Sequence, residues 1–425
     1  MTLLVFVGSL LAAMAIGVPV AFALMFCGVV LMTYMGMFNT QIIAQNMISG
    51  ADTFTLLAIP FFILAGELMN SGGLSRRIID FAIACVGHIR GGLGIVAIMA
   101  AIIMASISGS AAADTAALAA ILIPMMAKAG YNVPRSAGLI ASGGIIAPVI
   151  PPSMAFIVFG VAANVSITQL FMAGIVPGLL MGLSLVGTWL VVVRKDNVQA
   201  LPKTSGVDRL KATARAGWAL GMPVIILGGI KAGIMTPTEA AVVAAAYALF
   251  VGMVIYRELK PSDLPHVLLR AAKSTSIIMF LVCAALVSAW LITAANIPNE
   301  VVGFIEPLID RPMLLMFAIM VLVLIVGTAL DLTPTILILT PVLMPIIKQA
   351  GIDPVYFGVL FIMNTCIGLI TPPVGVVLNV VSGVGRVPLG RVTVGVLPFL
   401  LTQVAVLFLL VIFPDIVLVP LQYLR

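Results

Sequence analysis

A stretch of small polar residues and helix breakers, SISGSAAADTAALAAILIPMMAKAGYNVPRSAGLIASGGIIAPVIPP from Ser106 to Pro152, interrupts sequence otherwise apolar enough to lie inside a membrane, and its pattern occurs twice. Pro124, Ala129, Gly130, Pro151 and Pro152 return as Pro345, Ala350, Gly351, Pro372 and Pro373, all at an offset of 221 positions with no gap. Such spacing marks an internal duplication. At the same offset Ser110 falls on Asp331, Asp114 on Thr335, Gly143 on Asn364, Gly144 on Thr365 and Ile150 on Thr371. Two polar, helix-breaking patches in matching places of two halves point to the binding site of a transporter. A repeat can also keep its spacing for packing alone, an explanation that fits one serine better than it fits the mirrored set.

The membrane setting follows from composition. Hydrophobic residues make up 62% and charged residues 8% of the chain, where a soluble domain carries about 25% charge. Cys27, Cys85, Cys283 and Cys366 lie singly in apolar runs, which suggests neither a disulfide framework nor a metal site. They read as small buried hydrophobes. The net charge of +6 sits mostly in loops, where it reports orientation in the bilayer and is no argument for nucleic acid. The opening TLLVFVG lacks a basic n-region and is expected to be a retained membrane helix.

Taken in order, residues 2 to 36 are broken at Gly17-Val18-Pro19 into two short spans, and a third runs over 53 to 70. The loop after it carries Arg76, Arg77, His88 and Arg90 and is expected to be cytoplasmic. Between these charges, residues 77 to 86 suit a helix lying in the membrane interface. The chain is then apolar to Ile107, breaks at Ser108-Gly109-Ser110, and is apolar again to Met126 before Lys128 and Arg135. A segment that enters and leaves on one side is a re-entrant hairpin, here over 92 to 127, and its irregular backbone must be buried in protein or line a cavity. The following span, 136 to 163, is broken at Gly143-Gly144, Pro148 and Pro151-Pro152, and residues 167 to 193 close the half.

The second half repeats the plan in the opposite sense. A basic linker over 196 to 215 separates a first repeat, 1 to 195, from a second, 216 to 425. Spans over 216 to 230 and 238 to 256 lead to Arg257, Lys260, Arg270 and Lys273, so Lys231 to Thr236 lies outside. The next loop holds Glu300, Glu306, Asp310 and Arg311, acidic where its counterpart was basic. The second hairpin, 313 to 346 with its turn at LDLTPT, is therefore expected to enter from outside. A broken span over 355 to 384 turns at Asn364-Thr365 and Thr371-Pro372-Pro373, Arg386 and Arg391 lie in the cytoplasm, and a last helix over 393 to 423 leaves both termini periplasmic. The fold class is thus an all-α polytopic membrane protein of two inverted repeats, each with five spans and one hairpin.

Broken helices supply free carbonyls, and with Ser, Thr and Asn oxygens they can replace the hydration shell of sodium. Ser106, Ser108 and Ser110 with Gly143 and Gly144 form one candidate cluster; Asp331, Thr333 and Thr335 with Asn364, Thr365 and Thr371 form the other. Helix N-termini at the same breaks, near Pro151, Pro152, Pro372 and Pro373, favour an anionic substrate. Serines and alanines are also ordinary close-packing residues between membrane helices. Acids inside a membrane are costly and mark function by default. Asp331 is the leading ion-site candidate, and Asp114, one turn beyond Ser110, could cap amides or tune that site. Glu239 follows Thr236-Pro237-Thr238 and reads equally as an ordinary helix start, and Glu67, near Arg76 and Arg77, reads as a structural partner. With only His88 and His266, and no HExxH, P-loop or GxSxG, enzyme and ATP-driven readings are weak. An intramembrane aspartyl hydrolase using Asp114 and Asp331 is a second class, disfavoured because their repeat partners are Thr335 and Ser110. A channel suits hairpins that close a midplane cavity less well than alternating access does.

IPFFILAGELMNSGGLSRRIIDFA, ISGSAAADTAAL, IIAPVIPPS, LFMAGIVPG and MTPTEAAVVAAAYAL resemble the large membrane subunit of tripartite ATP-independent periplasmic (TRAP) transporters over nearly the whole chain. Within that family the likeness is strongest to the branch carrying sugar acids such as 2,3-diketo-L-gulonate. The resemblance implies a sodium-driven elevator without an organic cofactor, in a bacterial inner membrane. It also implies two partners, a small four-helix membrane subunit and a periplasmic substrate-binding protein. The family's sodium-site serines and acid fall on Ser108, Ser110 and Asp331, and its sensitive positions include those matching Asp114 and Glu239. Ala111 stands where members often carry a further serine, so no side-chain hydroxyl is available there. A stand-alone sodium/carboxylate carrier is the related alternative.

Overall fold

The computed structural model describes residues 1–196, 198–297, 300 and 308–424; Glu306, one of the acids expected outside the membrane, lies outside the described residues. The described residues are helical, with no strand. The Gly17-Val18-Pro19 break separates α1 (Thr2–Ala15) from α2 (Val20–Tyr34) as expected. A short amphipathic helix unforeseen in the sequence, α3 (Thr40–Ala51), follows, capped by the Asn39 side chain. After α4 (Ala58–Ser71), a left-handed Gly73 turns the chain into α5 (Leu74–Val86), whose apolar face is buried against the helices that begin at Gly92 and Gly206.

The first hairpin consists of α6 (Gly92–Ser108) and α7 (Ala111–Lys128), joined by left-handed Gly109 and capped by Ser110. The broken span is α8 (Val133–Gly144) and α9 (Met154–Ala163), and α10 (Ile167–Val192) follows. Beyond the linker come α11 (Gly206–Lys231), α12 (Pro237–Phe250) and α13 (Leu264–Ala294). The second hairpin is α14 (Pro312–Gly327) and α15 (Leu332–Gln349), the second broken span α16 (Pro354–Gly368) and α17 (Val376–Gly385), and the chain ends in α18 (Leu389–Ile412) and α19 (Asp415–Leu424).

Four boundaries differ from expectation. Asn364 and Thr365, expected at a turn, lie inside α16, which runs on to Gly368 before the chain breaks. Helix α11 begins inside the basic linker, at Gly206, because Ser205 caps it and Asp208 stands in its first turn, both favourable to a helix N-terminus. Arg270 and Lys273, expected in a loop, lie on the first turns of α13. The last span is two helices, because Pro414 cannot continue α18, lacking the amide that a helix needs.

The elements of the two halves start in step. Helices α7 and α15 begin at 111 and 332 and end at 128 and 349, and α8 and α16 begin at 133 and 354, all 221 residues apart. Their caps correspond too: Ser110 with Asp331, and Asn132 with Asp353. Packing between the halves is reciprocal. Helix α9 packs on α15 while its counterpart α17 packs on α7, and α8 packs on α18 while α16 packs on α10. At the centre Phe159 of α9 meets Phe357 and Phe361 of α16, ring centres 6.2 and 5.9 Å apart. A Cβ at Gly138 would lie 2.6 Å from the Gly395 backbone, so α8 and α18 cross backbone to backbone, the close approach that small residues permit between membrane helices. Eight of the described helical segments are long and apolar enough to cross a membrane.

Candidate functional site

The first hairpin tip is built by its own serines. Ser110 has extended backbone and its hydroxyl accepts from the Ala113 amide at 3.4 Å, starting α7. The Ser108 hydroxyl accepts from the Ser110 amide at 3.1 Å and donates to Asp114 Oδ1 at 2.5 Å. Asp114 is fully buried, and its second oxygen has no partner among the described residues. Asp114 thus faces the tip, as the one-turn spacing from Ser110 suggested, and leaves an unclaimed carboxylate oxygen there. Ser106 instead donates to the carbonyl of Ile103, 2.6 Å away, on its own helix.

The tip rests on the break of α8 and α9. A Cβ at Gly109 would lie 3.0 Å from the carbonyl oxygen of Pro152, and one at Gly144 would fall 1.8 Å from Thr115 Oγ1 and 3.1 Å from the Ala111 carbonyl. Gly144 therefore permits contact between the returning helix and the broken one, which bulkier residues would block. Gly143 lies beside Ala101 and is likewise buried. Pro151 and Pro152 are buried, and beyond them the Ser153 hydroxyl donates to the carbonyl of Pro148 at 2.5 Å and caps α9 through the Phe156 amide.

At the second tip Asp331 replaces Ser110 as the cap of the returning helix, its Oδ1 accepting from the Leu332 amide at 2.8 Å. Thr335 donates to the Asp331 carbonyl at 2.8 Å. Asp331, expected inside the membrane at the hairpin tip, is at the tip, exposed in this chain, and opens onto a cleft of about 680 Å³ lined by Pro19, Phe22, Ser276, Leu281 and Thr333. Capping puts its side chain outside the helix, and the start of α2 stands across the opening. Asp331 forms no ion pair with any described residue.

Deeper in, Asn364 is fully buried, donates to the Met320 carbonyl at 2.6 Å, and leaves its own carbonyl oxygen without a partner. Thr365 and Thr371 donate to Ile362 and Ile367 at 2.8 and 2.7 Å, which keeps their oxygen lone pairs available. Gly327 and Gly368 bring α14 and α16 together: a Cβ at Gly368 would be 2.5 Å from the Gly327 carbonyl. The second break is more open than the first, with Pro372 half-buried and Pro373 exposed. The two proline pairs, Pro151-Pro152 and Pro372-Pro373, share the cis conformation.

Two acids fall outside both clusters. Glu239 is exposed and closes a capping box, accepting from the Thr236 amide at 2.7 Å and hydroxyl at 2.8 Å. Glu67 pairs with Arg270 at 2.8 Å, and Arg270 also donates to Ser71, so its partner comes from α13 rather than from Arg76 or Arg77. Arg77 is instead held by Glu258 at 2.8 Å. Sequence reasoning missed Thr115 and Ser142, both fully buried with unpartnered hydroxyls, and Ser153. Their positions at the 221 offset are Ile336, Met363 and Val374, so the repeat gave no signal; for Ser153 the cue was a serine directly before an apolar run.

The chain's relatives agree with a transport site. Residues 7–416 match the family described as "Tripartite ATP-independent periplasmic transporter, DctM component". The chain is 55% identical, over all of both chains, to the 2,3-diketo-L-gulonate TRAP transporter large permease protein YiaN of Escherichia coli. It is 40% identical to the sialic acid TRAP transporter large permease protein SiaM of Vibrio cholerae, over 94% of this chain and 93% of that protein. In fold it is similar to the Alcanivorax borkumensis YdaH transporter, with a TM-score of 0.59 and 14% identity over 87% of this chain and 86% of that one. It is also similar to Neisseria gonorrhoeae MtrF, with a TM-score of 0.62 and 11% identity over 87% and 82%. Close relatives are permeases and not enzymes. With partnerless buried oxygens at Asp114 and Asn364 and a family match spanning nearly its full length, this multi-pass membrane chain belongs to the DctM component family, the large permeases of tripartite ATP-independent periplasmic transporters.

Proposed function

We propose that the chain takes up a small organic anion, a sugar acid such as 2,3-diketo-L-gulonate, in symport with sodium across a bacterial inner membrane. The observation that carries this is the pair of hairpin tips whose returning helices start at Ser110 and Asp331, together with partnerless buried oxygens at Asp114 on the first returning helix and at Asn364 on the second broken span. Sodium is the co-substrate such oxygens suit. At the first tip Ser108, Ser110 and Asp114 would face it, with carbonyls of the Gly143-Gly144 break; at the second, Asp331, Asn364, Thr365 and Thr371. Helices α7 and α15 start at these tips, and the amides of a helix N-terminus favour an anion.

The halves are read as inverted repeats, 1 to 195 and 216 to 425 about a cytoplasmic linker over 196 to 215, with both termini periplasmic. Reciprocal packing supports this, since a two-fold relation requires each contact to recur with the partners exchanged. The hairpins and broken helices form the moving body of an elevator, and the remaining helices, with the small four-helix membrane subunit, its stationary frame. A periplasmic substrate-binding protein delivers the anion. The identity to the diketogulonate permease favours a sugar acid. The test is reconstitution of the chain with its small subunit and cognate binding protein, followed by uptake of a panel of acidic sugars under a sodium gradient. Uptake that ignores the gradient, or that takes only C4-dicarboxylates, rejects the proposal.

A further inference from the structure

Away from both tips, a cavity of about 620 Å³ opens between α5, α11 and the end of α12, lined by Arg76, Arg77, Asp80, Arg215, Trp218 and Tyr256 among others. One of its arginines is fully occupied. Arg77 pairs with Glu258 at 2.8 Å, donates to the Gly73 carbonyl at 3.0 Å and lies 3.8 Å from the centre of the Tyr256 ring. That pair also neutralises Glu258. Arg76 and Arg215 are exposed, and neither guanidinium has a hydrogen bond or ion pair with a described residue; Asp80 is the remaining acid and is equally unpaired. Two free cations against one free anion leave the cavity positive.

Its depth in the membrane follows from α11. Asp208, Arg209, Lys211 and Arg215 crowd the start of that helix, and no charged residue follows until Lys231. Arg215 thus stands where α11 passes from water to hydrocarbon, with Trp218, 46% exposed, one turn deeper. Aromatic residues at that level belong to the headgroup belt. The wall is fixed: the Tyr256 hydroxyl donates to the Arg215 carbonyl, and the Tyr247 hydroxyl to that of Trp218, each at 2.7 Å. Toward the hydrocarbon, Phe250 and Val254 are 49% and 52% exposed and offer an apolar surface for an acyl chain.

The geometry points to a binding site for one anionic phospholipid, its phosphate held between Arg76 and Arg215 and a headgroup hydroxyl donating to Asp80. Basic pockets beside membrane helices take anionic headgroups, and the positive excess favours an anion over a zwitterion. Because α5 is anchored here to α11, an occupied site would brace the start of the first hairpin against the helices outside it. The site depends on the chain's placement in a bilayer and not on its substrate or coupling ion, so a failed transport assay leaves it standing.

The test titrates detergent-purified chain with dioleoylphosphatidylglycerol and counts bound lipid by native mass spectrometry. One saturable lipid per chain is expected. Arg76→Gln with Arg215→Gln should weaken it at least tenfold, Lys211→Gln should change it less than twofold, and Arg76→Lys with Arg215→Lys should recover most of the affinity. The lysine pair keeps the experiment decisive if the glutamine pair folds poorly. Four results overturn the proposal. One is unchanged binding in the glutamine pair. Another is displacement of the lipid by millimolar inorganic phosphate, which makes this a free-anion site. A third is exclusion of the lipid by the small membrane subunit, which makes it a protein contact. Equal binding of dioleoylphosphatidylethanolamine, abolished by Asp80→Asn, also overturns the anionic assignment.

Discussion

Asp331 has two jobs that one substitution can separate. Its Oδ1 caps α15, and its charge opens onto the cleft beside α2. Asparagine caps a helix as well as aspartate does, so Asp331→Asn should fold with a normal melting temperature. A charge-assisted contact is worth on the order of 1.5 to 3 kcal/mol, so sodium affinity and sodium-coupled uptake should both fall tenfold or more in vesicles. An unchanged half-saturating sodium concentration removes the residue from the ion site. Asp331→Ala should additionally lose the cap, about 1 kcal/mol of stability, which thermal unfolding can read. Ser110 and Asp331 stood out in the sequence because polar residues at a break fall on one another at the fixed offset, whereas Ser108, whose counterpart is Ala329, stood out only from the Ser108-Gly109-Ser110 break itself. Thr115 and Ser142 were passed over, since their counterparts are apolar and both lie within helical runs, and Glu239, which read equally as a helix start, closes a capping box.

At the scale of elements, hydropathy gave the long spans, and glycine, proline and serine gave their breaks, because a helix in lipid can be interrupted only where something else satisfies its backbone. Amphipathic pieces were harder. Helix α3 and the first turns of α11 and α13 are polar enough to resemble loops, and the end of α18 at Ile412 is marked only by Pro414 and Asp415 between two apolar runs. The order of crossing is testable because the marker lysines are exposed. In a variant without the four native cysteines, cysteine at Lys231 should react with a membrane-impermeant thiol reagent in cells with a permeable outer membrane, as should cysteine at Glu306. Cysteine at Lys203 or Lys260 should stay silent. Labelling at Lys203 would overturn the inverted arrangement. The Glu67–Arg270 pair between α4 and α13 is partly exposed, so breaking it with Arg270→Ala should cost no more than about 1 kcal/mol.

For the whole molecule, the family match and the chain's own frame lead to a further expectation. The elevator proposed above needs a stationary body, and the helices outside the hairpins and broken spans, with α1 and α2 short, would make a thin one. Purified chain alone should therefore show no sodium-driven uptake of free substrate, and adding the small subunit and binding protein should restore it. Uptake by the chain alone would instead identify a stand-alone carboxylate carrier. The exchange of partners between halves has a consequence for biosynthesis. Helix α7 leaves the ribosome long before α17, the helix it packs against, has been made, so the newborn first half carries an unsatisfied surface until most of the protein exists. A membrane chaperone or protease meets that surface first. Yet the two halves should need no continuous chain to find each other: cut within residues 198 to 205 and co-expressed, they should assemble into an active permease, while either half made alone should be degraded.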